Sequence, residues 1–188
     1  DILSNTNNSI AWFEYDGSEF TEHYVGSRRQ NNNSFQAADV DGDGDMDVLL
    51  ASNEDSEPGI TWYENTTSTA FEPSFTTNVI FDMSSNWEYT DDVETTDLDN
   101  DGDIDFIVSL NKWPGYPIVY WFKNDGLENF TTIELYNSNH SENNAKLEII
   151  DLDLDGDKDI ILGLTNSTSW LENDGLENFT LNQLSQTP

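Results

Sequence analysis

Three stretches of the chain share the form Asp-x-Asp-x-Asp-Gly-x-x-Asp: Asp39, Asp41, Asp43, Gly44 and Asp47; Asp97, Asp99, Asp101, Gly102 and Asp105; Asp151, Asp153, Asp155, Gly156 and Asp159. Carboxylates at alternate positions, followed by another four residues on, repel one another unless a hard cation lies among them. Oxygen donors two residues apart, and a glycine where the backbone must turn sharply, are what Ca²⁺ asks of a loop. The chemistry expected first is therefore the binding of about three Ca²⁺ ions per chain, one in each self-contained loop. An EF-hand would need a Glu at the twelfth loop position, where this chain has Leu50, Val108 and Leu162, and it would need flanking helices that the residue pattern does not support.

Composition narrows the partners. Thirty-eight acidic residues against six basic ones give a formal charge of −32. Long-range repulsion then opposes nucleic acid and anionic membrane surfaces before any local contact forms, whereas proteins or neutral glycans at a cell surface suit such a chain. No apolar run is long enough to span a bilayer, so membrane insertion is not expected. Six Trp, seven Tyr and ten Phe at regular positions argue for a folded chain despite its acidity. Cysteine is absent, which excludes a disulfide framework and thiol chemistry. Weak Ca²⁺ loops stay filled only near millimolar calcium, so the expected location is extracellular, either secreted or at the cell surface. Seven Asn-x-Ser/Thr sequons agree with that location, with Asn7, Asn32, Asn65, Asn129, Asn139, Asn166 and Asn178 as candidate N-glycosylation acceptors.

The acidic loops need elements to hold them. A short β-branched run follows each loop: Val48-Leu49-Leu50, Phe106-Ile107-Val108 and Ile160-Ile161-Leu162. A Trp strand recurs in step, at Ile10 to Glu14, Ile60 to Glu64, Val119 to Lys123 and Thr168 to Glu172. Asn124-Asp125-Gly126 and Asn173-Asp174-Gly175 then supply turn residues that tolerate positive φ. The unit reads strand, acidic loop, strand, turn, Trp strand, turn, strand, with a period of about fifty to sixty residues. Both faces of the Trp strands are partly apolar, as in a sheet sandwiched between neighbours. The expected fold is all-β: a β-propeller of four-stranded antiparallel blades, with about four blades present in a single domain. The units fall at approximately residues 1–34, 35–92, 93–146 and 147–188. A β-sandwich and a β-solenoid are the alternatives; neither accounts as well for the long period.

The loop, the apolar strand after it and the Trp-Tyr/Phe-Glu-Asn strand together resemble the FG-GAP/VCBS repeat, the calcium-loop blade of integrin α-subunit propellers and of many secreted bacterial proteins. The resemblance covers essentially the whole chain. It implies side-chain metal ligands at Asp39, Asp41, Asp43, Asp97, Asp99, Asp101, Asp151, Asp153 and Asp155. It implies main-chain carbonyl ligands at Asp45, Asp103 and Asp157, and closing carboxylates at Asp47, Asp105 and Asp159. Family propellers commonly have seven blades, and Asp1-Ile2-Leu3 aligns with Asp47-Val48-Leu49, so the first unit lacks its innermost strand. Fifteen strands are therefore expected where four complete blades would have sixteen. Upstream sequence of a larger propeller is the expected source of the missing strand. A second copy adding its strand is the alternative, with self-association through open blade edges.

Catalysis is not expected. The clustered carboxylates that could form a glycosidase pair are assigned to the cation, and His23 and His140 have no Cys or nucleophile elbow beside them. Trp12, Trp62, Trp121 and Trp170 read as core by periodicity. Trp87, Tyr89, Trp113 and Tyr116 fall outside the repeat and are candidate ligand contacts. The expected function is an extracellular, non-catalytic calcium-binding propeller module for adhesion, protein interaction or assembly. A glycan-binding module of a secreted polysaccharide-processing enzyme and a subunit of an extracellular polymer built by strand addition are the alternatives.

Overall fold

The computed structural model describes residues 1–5, 9–27, 34–52, 59–67, 73–82, 88–112, 115–138 and 145–186. Trp87, Trp113, His140, Asn7, Asn32 and Asn139 lie outside the described residues. Among the described residues the architecture is all-β, with fifteen strands in four sequential antiparallel sheets of the β-propeller blade type.

The first sheet has three strands, β1 (Ile2–Asn5), β2 (Ser9–Tyr15) and β3 (Phe20–Ser27). The second contains β4 (Ser34–Ala38), β5 (Asp47–Ala51), β6 (Ile60–Asn65) and β7 (Phe75–Phe81). The third contains β8 (Glu88–Thr96), β9 (Asp105–Lys112), β10 (Tyr116–Asn124) and β11 (Phe130–Asn137). The fourth contains β12 (Lys146–Ile150), β13 (Asp159–Gly163), β14 (Ser167–Asn173) and β15 (Phe179–Gln186). Among the described residues, β1 pairs with β2 alone, opposite the edge that β5, β9 and β13 give to β4, β8 and β12. The unit boundary expected after residue 92 falls inside β8, because Glu88 to Asp92 is too polar to show the start of a strand by alternation. The boundary expected after residue 146 likewise falls inside β12, whose first residue is Lys146.

Period-two alternation places each central strand between two neighbouring sheets. Val48 and Leu50 of β5 face the first sheet with Ile10, Val25 and Tyr63, while Leu49 and Ala51 face the third with Phe106, Val108 and Leu110. On β9, Ile107 turns the other way and joins Trp121, Leu147, Ile160 and Leu162 between the third and fourth sheets. The same aromatic contact recurs from sheet to sheet. Trp62 meets Phe130 edge-on at 6.4 Å, and Trp121 meets Phe179 edge-on at 6.1 Å. Trp62 and Trp121 are buried, but Trp12 and Trp170 are only half-buried, which corrects the reading of all four as core. Their sheets pack on a single neighbour among the described residues, so one face of each Trp strand is less covered.

The first strands of the last three blades lie side by side, β4 next to β8 and β8 next to β12. Polar side chains join them there. Asp92 accepts hydrogen bonds from the Ser34 hydroxyl at 2.9 Å and the Leu147 N–H at 3.2 Å, one from each neighbouring blade. A β-bulge between Thr90 and Asp92 makes Asp91 the extra residue of β8 and re-aims its side chain. Its Oδ2 accepts the Ala145 N–H at 3.2 Å and an N–H of Asn111.

Candidate functional site

The three acidic loops join β4 to β5, β8 to β9 and β12 to β13, and their backbone is built alike. The loop glycines Gly44, Gly102 and Gly156 hold φ of 97°, 102° and 105°, a conformation that favours glycine. Two residues earlier the chain is left-handed as well, at Gly42, Asn100 and Leu154 with φ of 74°, 60° and 65°. The first carboxylate of each loop caps the glycine: Gly44 donates its N–H to Asp39 at 3.1 Å, Gly102 to Asp97 at 3.0 Å and Gly156 to Asp151 at 3.2 Å. The fifth-position carboxylate accepts the N–H of the seventh residue, as Asp43 does from Asp45 at 2.8 Å. Asp101 and Asp155 do the same from Asp103 and Asp157, both at 3.0 Å.

This wrapping brings carboxylate oxygens together. Within 4.8 Å of one another lie oxygens of Asp39, Asp41 and Asp43, of Asp97, Asp99 and Asp101, and of Asp151, Asp153 and Asp159. In the third loop the closing Asp159 thus stands in the cluster where Asp155 was expected to complete it. Two oxygens within these clusters, Asp39 Oδ1 and Asp151 Oδ1, are buried without a hydrogen-bond partner. A buried anionic oxygen with no donor is costly, and a hard cation bound by oxygen ligands supplies what it lacks. The donor set therefore fits a divalent cation of the Ca²⁺ type.

The closing carboxylates are also structural. Asp47 takes the Val40 N–H at 3.0 Å and the Asn65 N–H at 2.7 Å, one on each oxygen. Asp105 takes Leu98 at 3.1 Å and Asn124 at 2.8 Å; Asp159 takes Leu152 and Asn173, both at 2.9 Å. Each one pins the start of its loop to the end of the Trp strand. Burial pushes the carboxyls of Asp47 and Asp105 up to about 6, against these N–H donors and the nearby indoles of Trp62 and Trp121. Neither indole N–H reaches hydrogen-bond geometry with a carboxylate.

The loops are not self-contained, contrary to the sequence expectation. Asn100 of the second loop donates its side-chain amide to Asp157 of the third at 3.2 Å. Asn124 and Asn173, which end the Trp strands, reach back to the loop of the preceding blade. Asn124 donates to the Val40 carbonyl at 3.0 Å, and Asn173 to the Leu98 carbonyl at 3.3 Å. Asp103 and Asp157 press against Gly126 and Gly175, so closely that a Cβ at either glycine would collide with the carboxylate. Sequence reasoning missed Lys123, which sits where the other Trp strands carry Glu14, Glu64 and Glu172; the mismatch was visible in the repeat. Lys123 pairs with Asp99, a candidate ligand, and with Glu177 at 2.7 Å.

Among the other candidates, Tyr89 is exposed on β8 and Tyr116 is half-buried at the start of β10. His23 stacks on Trp12 with ring centroids 4.8 Å apart and meets Glu14 at 3.1 Å. Three sequon amides are engaged in hydrogen bonds: Asn65 with the Met46 carbonyl of its acidic loop at 3.2 Å, and Asn129 and Asn178 with Asp125 and Asp174 in their turns, each at 3.0 Å. Asn166 is exposed.

A family model described as an FG-GAP-like repeat matches residues 1–50, 39–108 and 97–162, so successive matches overlap across the acidic loops. No curated protein matches the chain. Among solved structures, it is similar to an Agrocybe aegerita lectin described by its specific recognition of non-reducing terminal N-acetylglucosamine. The identity is 17% and the TM-score 0.62, over 96% of this chain and 47% of that one. This likeness is one of fold, and the chain spans about half the length of that neighbour.

Proposed function

The chain belongs to the FG-GAP-like repeat family, and from that premise we propose that it is a calcium-loaded, non-catalytic interaction module of a secreted or cell-surface protein. The observation that carries the reading is the pair of buried, unpartnered oxygens, Asp39 Oδ1 and Asp151 Oδ1, inside acidic clusters that recur in the last three blades. In this reading Asp39, Asp41 and Asp43, with their counterparts in the other two loops, hold the ion. The carbonyls of Asp45, Asp103 and Asp157 and the closing carboxylates complete the ligand set. The cation acts as a structural counter-charge that keeps the loop ends of the blades in place for a partner. Sites of this kind suit calcium at about 10⁻⁴ to 10⁻³ M, which favours an extracellular setting.

Calcium calorimetry paired with thermal melts tests this. About three ions should bind per chain, and EGTA should lower the melting temperature. A chain that takes up no calcium and melts identically in EGTA refutes the proposal.

A glycan as the partner is the second reading. Tyr89 presents an exposed ring on β8, and exposed aromatics stack on sugars. The lectin neighbour adds a precedent for glycan recognition on this fold, without transferring its ligand. Glycan-array binding that is lost in Tyr89→Ala favours this reading; binding to a protein partner that survives the substitution favours the first.

A further inference from the structure

We propose that the three loops are unequal cation sites: the first and third take Ca²⁺ more tightly, and the middle one is held by Lys123 as an internal counter-cation. The inference rests on the calcium reading above and divides its sites.

Two independent features separate the middle loop from its neighbours. The first is the residue that faces the third loop position from the Trp strand. In the second and fourth sheets the equivalent residue is Glu64 or Glu172, an acid that leaves its loop without a counter-charge from the Trp strand. In the third sheet the residue is Lys123, whose ammonium sits directly on Asp99. The outer strands explain the difference in reach. Asn78 and Asn182, opposite Trp62 and Trp170, hold Glu64 and Glu172 at 2.9 and 2.8 Å. Ile133 stands opposite Trp121 and offers no polar group, so Lys123 is left to the loop and to Glu177 of the next blade.

The second feature is the first ligand oxygen. Asp39 Oδ1 and Asp151 Oδ1 have no hydrogen-bond partner, but Asp97 Oδ1 accepts the Asp101 N–H at 3.1 Å. The middle loop is thus satisfied by its own backbone at the first position and by Lys123 at the third. A cation entering it must displace the Lys123 ammonium from Asp99 and compete with a backbone donor on Asp97. At the other two loops it meets an unpartnered oxygen and one additional carboxylate. Exchanging a carboxylate for an ammonium beside the ligands changes the local charge by two units. A shift in affinity of about tenfold or more is expected at this range.

Calcium titrations at fixed ionic strength, with calorimetric detection, test the proposal on the intact chain and on Lys123→Glu, Lys123→Gln and Glu64→Lys. The unmodified chain should show two tighter ions and one weaker by about tenfold or more. Lys123→Glu should bring the weak step up to the other two, and Lys123→Gln should move it part of the way. Glu64→Lys should leave a single tight ion. Asp97→Asn should remove the weak step and spare the tight ones, which assigns that step to the middle loop. Three equal steps in the unmodified chain, or a weak step unmoved by both Lys123 variants, overturns the inference while leaving calcium binding intact. No uptake in any variant overturns the calcium reading itself.

Discussion

The side-chain amide of Asn124 donates to the main-chain carbonyl of Val40, 84 residues earlier and one blade away, at 3.0 Å. The same amide group reaches the Ile104 carbonyl at 3.1 Å, and its oxygen takes the Gly126 N–H at 3.1 Å. One buried side chain therefore ties the acidic loop of one blade to the loop and the turn of the next. Asn173 repeats the arrangement with Leu98, Lys158 and Gly175. Asn65 keeps the bond to its own loop, at the Met46 carbonyl, but is only half-buried.

Asn124→Ala should therefore destabilise the fold by about 2 to 3 kcal/mol, since the buried carbonyl of Val40 and the N–H of Gly126 lose their partner. Asn65→Ala should cost about 1 kcal/mol or less, because water can reach that position. Urea denaturation of the two variants side by side checks the difference, and equal losses would contradict the role given to the inter-blade bond.

Acid should stabilise the region around Asp91. Burial raises its carboxyl to about 6, with Asp92 adding repulsion, against the Ala145 N–H, Lys146 and Asn111. Between the ordinary value of 3.8 and this one, the folded chain holds a proton that the unfolded chain has released. This contribution to stability is complete below about pH 4 and is lost as the pH rises through about 6. The stability difference between Asp91→Asn and the unmodified chain should therefore move in the variant's favour by about 1 to 2 kcal/mol across that window. Denaturation curves in EGTA at the two ends of the window measure it; a constant difference would refute the assignment.

Gly26 is a glycine inside a strand because Tyr63 of the next blade lies against it. A methyl group there would collide with the phenol ring. Gly26→Ala should cost about 1 to 3 kcal/mol as the first and second sheets are forced apart. Pairing it with Tyr63→Leu should recover part of the loss, which thermal melts of the single and double variants would show.

Much of this architecture was legible in the residues because it rests on period and charge. The runs from Val48, Phe106 and Ile160 form strands buried on both faces, and the Asp repeats mark the loops that lead into them. What stayed hidden depends on three-dimensional neighbours. Asp91 looks like one more acid in an acidic run, and only the bulge in β8 turns it toward Ala145 and Asn111. Asn-Asp-Gly announced a turn with positive φ at Gly126, yet Glu128 and Glu177 are also left-handed, at 62° and 63°. Nothing in the side chain of a glutamate advertises that conformation. Lys123 ends its Trp strand motif, but the meaning of its charge appears only with Asp99 and Glu177 beside it.

The pairing of each Trp strand with its outer strand carries one more implication. The register shifts between Ile10 and Ala11, Ile60 and Thr61, Val119 and Tyr120, and Thr168 and Ser169, always just ahead of the Trp. Each ladder then ends on the equivalent pairing with a Phe, Tyr15 with Phe20, Asn65 with Phe75, Asn124 with Phe130 and Asn173 with Phe179. The stretch between the paired ends differs: residues 16–19 in the first sheet, 66–74 in the second, 125–129 in the third and 174–178 in the fourth. Register is thus indifferent to the length of this connection, so foreign sequence spliced between Thr67 and Ser74 should leave the ladder intact. That makes the hairpin of the second blade a natural graft point for displaying a peptide on this scaffold.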